Sequence, residues 1–333
     1  MAELEVPHPR EVFDLQAHEA AELAFEDARG RGRLHHAWLL TGPEGIGKAT
    51  FAYRAARRLL GAPADREYGV LGADPAHPVS RQVIGRAHPD LLVLERAGED
   101  GKPRKTIPVD DARKLSEFFS KSPASAPHRV AIVDAADDLN VNAANALLKT
   151  LEEPPPKGVL LMVSHSPGRL LSTIRSRCRR LAFAPPGEAA AAAFVRARAD
   201  VDEEAALRLA RMSGGAPGRA LALAAAQALA LDDAARELLA GLPRIDEAMA
   251  LSLADRFKGG EGQAQFNLLF DRLAERVRAM VVDRATQGMG ALDRWAQAWE
   301  TLQRLPREVE GLNLDRTDAL FAALTELRQA ARA

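Results

Sequence analysis

A glycine-rich loop between an apolar run and an amphipathic run constrains this chain most strongly. The segment TGPEGIGKAT follows the apolar residues AWLL and precedes FAYRAARRLL. A buried strand, a glycine loop and a helix in that order are typical of a phosphate-binding loop, whose backbone N–H groups turn inward around phosphate oxygens. A lysine at the start of the helix adds positive charge. The candidate phosphate-binding residues are Gly42, Gly45, Gly47 and Lys48.

The loop departs from the pattern GxxxxGK[ST] at its last position. Ala49 follows Lys48, so the hydroxyl that normally binds magnesium is absent. Thr50 lies one position later, about 100° further around the helix, and is expected to point away from a metal. We therefore expect the loop to hold ATP, ADP or phosphate weakly or not at all, and no cofactor to be required.

The candidate for a second acidic motif is RVAIVD, an apolar run that ends at Asp134. The next residue is Ala135. An ATPase with a phosphate-binding loop ordinarily has a glutamate at this position, which polarises the attacking water. Asp137 and Asp138 come too late to replace that glutamate and are interpreted as a helix start. With two catalytic groups missing, we predict that the chain has no ATPase activity of its own.

The distribution of apolar residues predicts an α/β fold followed by helices. Short apolar runs at 37–40, 91–94, 129–134 and 158–164 alternate with amphipathic stretches, which is typical of a parallel sheet with helices on both faces. After APPG at 184–187 the apolar residues recur at helical spacing. We predict a P-loop domain over 1–184, a small helical domain over 185–228 and an all-helical domain over 229–333.

Composition excludes several classes of protein. The formal net charge of −1 does not favour nucleic-acid binding by bulk charge, so any DNA contact must come from a local patch. The single cysteine, Cys178, excludes an intramolecular disulfide. The acidic, proline-broken start does not resemble a signal peptide, and the apolar stretches are too short or too charged to span a membrane. We expect a cytoplasmic protein with no membrane partner.

Five segments carry a family resemblance: LHHAWLLTGPEGIGK, HPDLLVLE, NAANALLKTLEEPP, STIRSRC and SGGAPGRAL. In this order and at these separations, across residues 15–225, the chain resembles the delta-prime subunits of bacterial DNA polymerase III, which are clamp-loader proteins of the AAA+ class. The resemblance implies an AAA+ domain, a helical lid and a helical collar through which five subunits join in a ring. Delta-prime is the member with a degenerate nucleotide site, in agreement with Ala49 and Ala135.

The resemblance also implies partners and a catalytic residue. The partners are the tau/gamma and delta subunits, the sliding clamp through weak or indirect contact, and primed DNA through the assembled complex. In this family the Ser-Arg-Cys motif supplies an arginine finger to a neighbouring subunit, which here is Arg177. A guanidinium is a fixed fork of donors suited to charge on a γ-phosphate. The alternative is that Arg177 belongs to a solvated basic face.

Two further expectations concern DNA and zinc. In clamp loaders basic residues near helix N-termini follow the duplex phosphates, and Arg113 and Lys114 match that position, although a solvated helix surface is an equal alternative. Many relatives carry a four-cysteine zinc module before the HPD segment, where this chain has Asp74, His77 and Ser80. These side chains form no tetrahedral N/S site, so we predict no bound metal.

Three hypotheses for the function follow. The first is a non-catalytic clamp-loader subunit that completes the heteropentameric ring, helps to load the sliding clamp onto primed DNA and presents Arg177 to an adjacent ATP site. The second is an active AAA+ ATPase subunit of the tau/gamma type that tolerates Ala49 and Ala135. The third is a stand-alone P-loop enzyme such as a nucleotide kinase, which the long helical tail disfavours. ATP hydrolysis by the isolated chain separates the first from the others.

Overall fold

The structure is a computed structural model that describes residues 4, 6–96, 104–259, 262–288 and 292–332. The chain forms two compact units, Met1–Ala222 and Leu223–Ala333. The three-domain division with boundaries at 184 and 228 stays a prediction. Within the described ranges, no helix combines the length and apolar character needed to cross a bilayer.

A five-stranded parallel sheet forms the centre of the first unit, in the order β2-β3-β4-β1-β5. Because the strands are parallel, their carboxyl ends meet at one edge, where ligand-binding loops gather in folds of this type. The four predicted apolar runs are strands, which confirms the predicted α/β class. The strands are β1 (Ala37–Thr41), β2 (Leu91–Glu95), β3 (Arg129–Asp134), β4 (Gly158–Ser164) and β5 (Arg179–Ala182).

Helices cover both faces of this sheet. Apolar side chains on one face, including Trp38 and Leu40, share a core with Phe51, whereas Leu39 on the other face packs with Leu147. Alternate residues of one strand thus serve two separate cores. The helices of the first unit are α1 (Glu19–Gly30), α2 (Lys48–Leu59), α3 (Pro78–Ile84), α4 (Val109–Phe119), α5 (Val141–Glu152), α6 (Ser172–Arg175), α7 (Glu188–Arg196), α8 (Glu203–Met212) and the start of α9 (Pro217–Ala225).

The described residues of the second unit form helices joined by turns, with no strand among them. Its core confirms the predicted helical spacing of the apolar residues, since Leu273 and Val277 are fully buried and pack with Trp295 and Leu302. The unit contains the end of α9, then α10 (Ala228–Ala240), α11 (Glu247–Arg256), α12 (Gly262–Thr286), α13 (Leu292–Leu312) and α14 (Arg316–Arg332). A bidentate ion pair between Asp232 and Arg276, at 2.6 and 3.0 Å, joins α10 to α12.

Candidate functional site

The glycine loop lies between β1 and α2, at the carboxyl edge of the sheet. Gly42, Gly45 and Gly47 have φ values of 147°, 74° and 99°, in a region that residues with a side chain rarely adopt. A Cβ atom on Gly42 would lie 2.3 Å from the carbonyl oxygen of Phe183, which follows β5. Glycine at this position therefore lets the loop approach the neighbouring strand.

Lys48 points back into its own loop. Its side chain is 3% exposed, and Nζ donates a hydrogen bond of 2.6 Å to the carbonyl oxygen of Gly42 and another to that of Pro43. Burial lowers the pKa of Lys48 to about 8, although Asp134 and other carboxylates nearby oppose this effect. The Lys48 ammonium group is thus bonded to the backbone of its own loop, at the place where a bound phosphate would otherwise be its partner.

The first turn of α9 lies directly against the loop. The N–H group of Gly218 donates to the carbonyl oxygen of Gly45 at 2.7 Å. A Cβ atom on Gly45 would lie 2.4 Å from the backbone nitrogen of Arg219, so the two backbones leave no room for a side chain there. The Arg219 side chain itself is exposed. The contact of its backbone with Gly45 was not predicted.

The segment before α1 covers the other side of the loop. A Cβ atom on Gly47 would lie 2.5 Å from Cδ1 of Leu15. The Nε2 atom of His18, 6% exposed, donates to the carbonyl oxygen of Ile46 at 2.7 Å. Burial lowers the pKa of His18, which favours the neutral imidazole. Neither residue was a predicted part of the site, because nothing in the local sequence links them to the loop.

Asp134 ends β3, next to the glycine loop. Burial raises the pKa of its carboxyl group to about 6, and the nearby carboxylate of Glu95 adds to the effect, while Lys48 opposes it. Ala135, which follows, is 4% exposed. This position therefore brings no side chain that could polarise a water molecule.

Asp137 has a different role from the one expected. It lies in a short 3-10 turn, Ala136–Asp138, and the side chain that caps α5 is Asn140. The Asp137 carboxylate instead accepts hydrogen bonds from the hydroxyl of Ser164 at 2.9 Å and from the N–H groups of His165 and Ser166. A short helix does begin at Ala136 with Asp137 and Asp138 in its first turn, but the Asp137 carboxylate accepts from the end of β4 instead of capping a helix.

Arg177 follows α6 and is partly exposed. Its guanidinium forms an ion pair of 2.9 Å with Glu152, the last residue of α5, and donates to the carbonyl oxygen of Thr173 at 3.0 Å. The side chains are 36% and 51% exposed, so this pair is weak and easily exchanged for another partner. Cys178, the next residue, is partly buried, and burial raises the pKa of its thiol to about 12. The raised pKa favours the neutral thiol over the reactive thiolate at neutral pH.

The DNA-contact candidates lie in the second turn of α4. Arg113 forms an ion pair with Asp110 at 3.0 Å, and Lys114 forms one with Asp111 at 3.0 Å. The two basic side chains are 70% and 50% exposed. Their assignment to DNA stays a prediction, because exposed pairs within one helix are typical of any solvated surface.

The segment that corresponds to the zinc module is held by capping interactions. Asp74 accepts a hydrogen bond from the N–H of Ala76, and His77 caps α3 by accepting one from Val79. Ser80 is fully buried in α3. In the part of the chain that the structure describes, no three or more His, Cys, Asp or Glu side chains are grouped as metal ligands. The absence of zinc stays a prediction.

The strand order, with a phosphate loop after the first strand and helices after the last, places the chain in the AAA+ class of P-loop proteins. The family model described as "DNA polymerase III, delta subunit" matches residues 17–187, just over half of the chain. The chain belongs to this family, and the resemblance deduced from the motifs is confirmed.

The individual proteins that this chain resembles in sequence include subunits of DNA polymerase III. The chain is 41% identical over 189 residues to "DNA polymerase III subunit delta'" of Pseudomonas aeruginosa, covering 56% of this chain and 55% of the relative. It is 36% identical over 192 residues to the Escherichia coli protein of the same name, covering 58% and 55%. It is also 33% identical over 155 residues to "DNA polymerase III subunit gamma" of Buchnera aphidicola, covering 46% and 40%. The matched region thus spans about half the length of these relatives or less.

Proposed function

We propose that this chain is a non-catalytic subunit of the delta-prime type in the DNA polymerase III clamp loader. Its partners are the tau/gamma and delta subunits, with which it completes the ring that loads the sliding clamp onto primed DNA. Arg177 extends into the ATP site of a neighbouring subunit and stabilises charge on the γ-phosphate during hydrolysis. The chain itself requires no nucleotide, metal or other cofactor.

The observation that carries this proposal is the position of Lys48. A magnesium nucleotide needs a free ammonium group for its phosphates and a hydroxyl for its metal ion. Here the Lys48 ammonium is bonded to the carbonyl oxygens of Gly42 and Pro43, and Ala49 offers no hydroxyl. The residues present do not fit a magnesium nucleotide, and no hydrolytic step is assigned to this site.

The environment of Arg177 supports its assignment as the finger. The guanidinium is partly exposed, it donates to the carbonyl oxygen of Thr173 in α6, and its partner Glu152 lies at the surface. An exposed ion pair contributes only about 0.2–1 kcal/mol, so a desolvated γ-phosphate can replace Glu152 at little cost. A guanidinium held in this way is available to a neighbouring subunit.

The test is ATP turnover by the reconstituted complex, containing the tau/gamma and delta subunits, the clamp and primed DNA. R177A is expected to lower kcat about tenfold or more without a change in assembly, because an arginine finger acts on the transition state. R169A, which removes an exposed arginine from the turn before α6, is the matched control and is expected to retain full turnover. Wild-type turnover by the R177A complex would refute the finger.

The second hypothesis, an active subunit of the tau/gamma type, has one observation in its favour: the similarity to the gamma subunit of Buchnera aphidicola. This hypothesis requires Lys48 to leave its backbone partners and bind phosphate. K48M preserves the length of the buried side chain and removes the charge. An active subunit would lose ATP binding in this variant, whereas a non-catalytic subunit would support undiminished turnover by the complex.

A further inference from the structure

The loop that leads to Arg177 is fixed at both ends. It runs from the end of β4 at Ser164, through the 3-10 turn Pro167–Arg169, to α6 and then Arg177. At the far end, Ile174 is fully buried among apolar side chains of the sheet face covered by α4 and α5. Leu170 is buried in the same core, so these apolar contacts fix α6 and the segment before it but not the path of the five residues between Ser164 and Leu170.

The near end of the loop is fixed by one carboxylate. Asp137 accepts three hydrogen bonds from consecutive residues, Ser164, His165 and Ser166, with Oδ1 taking the first and third and Oδ2 the second. Ser164 is fully buried, so its hydroxyl has a defined orientation. Charge-assisted hydrogen bonds of this kind are about twice as strong as neutral ones and fix geometry as well as energy.

A second polar contact continues this path. The guanidinium of Arg175 donates to the carbonyl oxygen of Pro167 at 3.1 Å, which closes the turn onto α6. The chain of contacts therefore runs from Asp137 through the segment Ser164–Ser166 and the turn to α6, and Arg177 comes two residues after Arg175. Asp137 and Arg177, at the two ends of this path, are forty residues apart in sequence.

The Asp137 carboxylate is close enough to Lys48 to oppose the lowering of the Lys48 pKa by burial, but its hydrogen bonds are not made to the phosphate loop. The three hydrogen bonds of Asp137 are directed to the end of β4, and the Lys48 ammonium is bonded to Gly42 and Pro43. Asp138, the next residue, has a separate partner, because its carboxylate forms an ion pair with Arg96 at 3.0 Å. The two neighbouring carboxylates thus serve different segments, and only one of them holds the loop that leads to Arg177.

We propose that Asp137 is a positioning residue for Arg177. By fixing Ser164, His165 and Ser166 it sets the direction in which α6 presents the guanidinium to a neighbouring ATP site. This inference rests on the proposed function, since it assigns a role only if Arg177 acts on a neighbour. Asp137 itself touches neither the nucleotide nor the reacting atoms.

The test is a double-mutant cycle measured by ATP turnover of the reconstituted complex. In D137N a carboxylate oxygen becomes an NH₂ group, which cannot accept from a backbone N–H, so at least one of the three hydrogen bonds is lost. We expect D137N to lower kcat about three- to tenfold, to leave the KM for ATP unchanged, and to have no further effect in an R177A background. D138N, the matched control, is expected to leave kcat at the wild-type value.

Each outcome is decisive. An equal decrease caused by D137N with and without Arg177 would show that Asp137 acts independently of the finger and would overturn the inference. Reduced turnover in R177A but wild-type turnover in D137N would overturn the inference alone, whereas wild-type turnover in R177A would overturn the proposed function and this inference with it.

If D137N does not fold, S164A removes one donor of the same set. Its expected effect is a smaller decrease that disappears in R177A, and an unchanged kcat would overturn the inference.

Discussion

The N–H group of Gly218 donates a hydrogen bond to the carbonyl oxygen of Gly45 at 2.7 Å, which joins the first turn of α9 to the phosphate loop. A Cβ atom on Gly218 would lie 2.9 Å from that same oxygen. The two backbones approach this closely because both residues are glycines, and a side chain on Gly218 would have to displace the backbone of Gly45. The first turn of α9 is thus joined to the loop by a direct backbone hydrogen bond.

This contact predicts a loss of stability in G218A. The added methyl group must push α9 away from the loop, at a cost of about 1–3 kcal/mol. Chemical denaturation of the purified chain measures the change, with G30A as the control because a Cβ atom on Gly30 meets nothing within 4 Å. Equal stability of G218A and the wild-type protein would mean that α9 does not depend on the close approach.

Asp90, in the HPD segment, predicts an acid-sensitive part of the stability. Its fully buried carboxylate accepts hydrogen bonds from the N–H groups of Ala124, Ser125 and Ala126 and from Arg129. Burial alone would raise the pKa of Asp90, but these hydrogen bonds lower it to about 2. The group therefore stabilises the fold above pH 4, and this contribution is lost as the pH falls from 4 towards 2.

D90A is expected to cost about 3 kcal/mol at pH 7, because three backbone donors and Arg129 lose their acceptor. Denaturation midpoints measured from pH 7 to pH 2 should converge for the wild-type protein and the variant as Asp90 becomes protonated. A constant difference across this range would contradict the assigned cause.

Asp134 predicts the opposite dependence on pH. The pKa of Asp134 in the folded protein, about 6, lies above the ordinary value of 3.8. The neutral carboxyl group therefore contributes to the stability of the fold. This contribution is present in full below pH 4 and is lost as the pH rises through 6. D134N should therefore be more stable than the wild-type chain at pH 7.5, by about 1–2 kcal/mol, and equal to it near pH 4. Thermal unfolding at both pH values measures this, and a variant that is less stable at pH 7.5 would show that the charged form is needed.

The same variant separates the two functional hypotheses. A non-catalytic subunit has no use for the Asp134 carboxylate, so the complex that contains D134N is expected to retain wild-type ATP turnover. In an active P-loop ATPase this aspartate supports the magnesium ion, and its loss would abolish hydrolysis at that subunit.

Arg113 and Lys114 predict a salt-dependent contribution to DNA binding. Replacement of both by alanine should weaken binding of the assembled complex to primed DNA for all sequences equally, and should reduce the slope of log K against log salt by about two. K121A, two residues beyond the end of α4, is the control because Lys121 forms a similar exposed ion pair with Glu117. An unchanged salt slope would identify Arg113 and Lys114 as part of a solvated surface.

The sequence predicts the strands that are continuous apolar runs and misses the one that is not. Strands β1, β2, β3 and β4 are such runs, so their order along the chain is evident, although β2 lies at a sheet edge and is largely half-buried. Strand β5 contains Arg179 and Arg180 and lies at the sheet edge, where both side chains are exposed. Its pairing with β1 depends on tertiary structure, and the apolar pattern alone does not predict it.

The candidate site likewise contains features that the motifs predict and contacts that they do not. The missing hydroxyl at Ala49 and the missing glutamate at Ala135 follow from the motifs alone. The hydrogen bonds of Asp137 to Ser164 and Ser166 join segments 27 and 29 residues apart, and the contact of Gly45 with Gly218 spans a longer separation still. Contacts at these separations follow from the order of the strands, which no local motif specifies.

The measurement that tests the central claim most directly is ATP binding and hydrolysis by the purified chain, first alone and then with the tau/gamma and delta subunits, the clamp and primed DNA. A non-catalytic subunit is expected to be inactive alone and to support turnover in the mixture that falls when Arg177 is replaced by alanine. Sustained hydrolysis by the isolated chain would contradict the account, because neither Ala49 nor Ala135 can supply the groups that such activity requires.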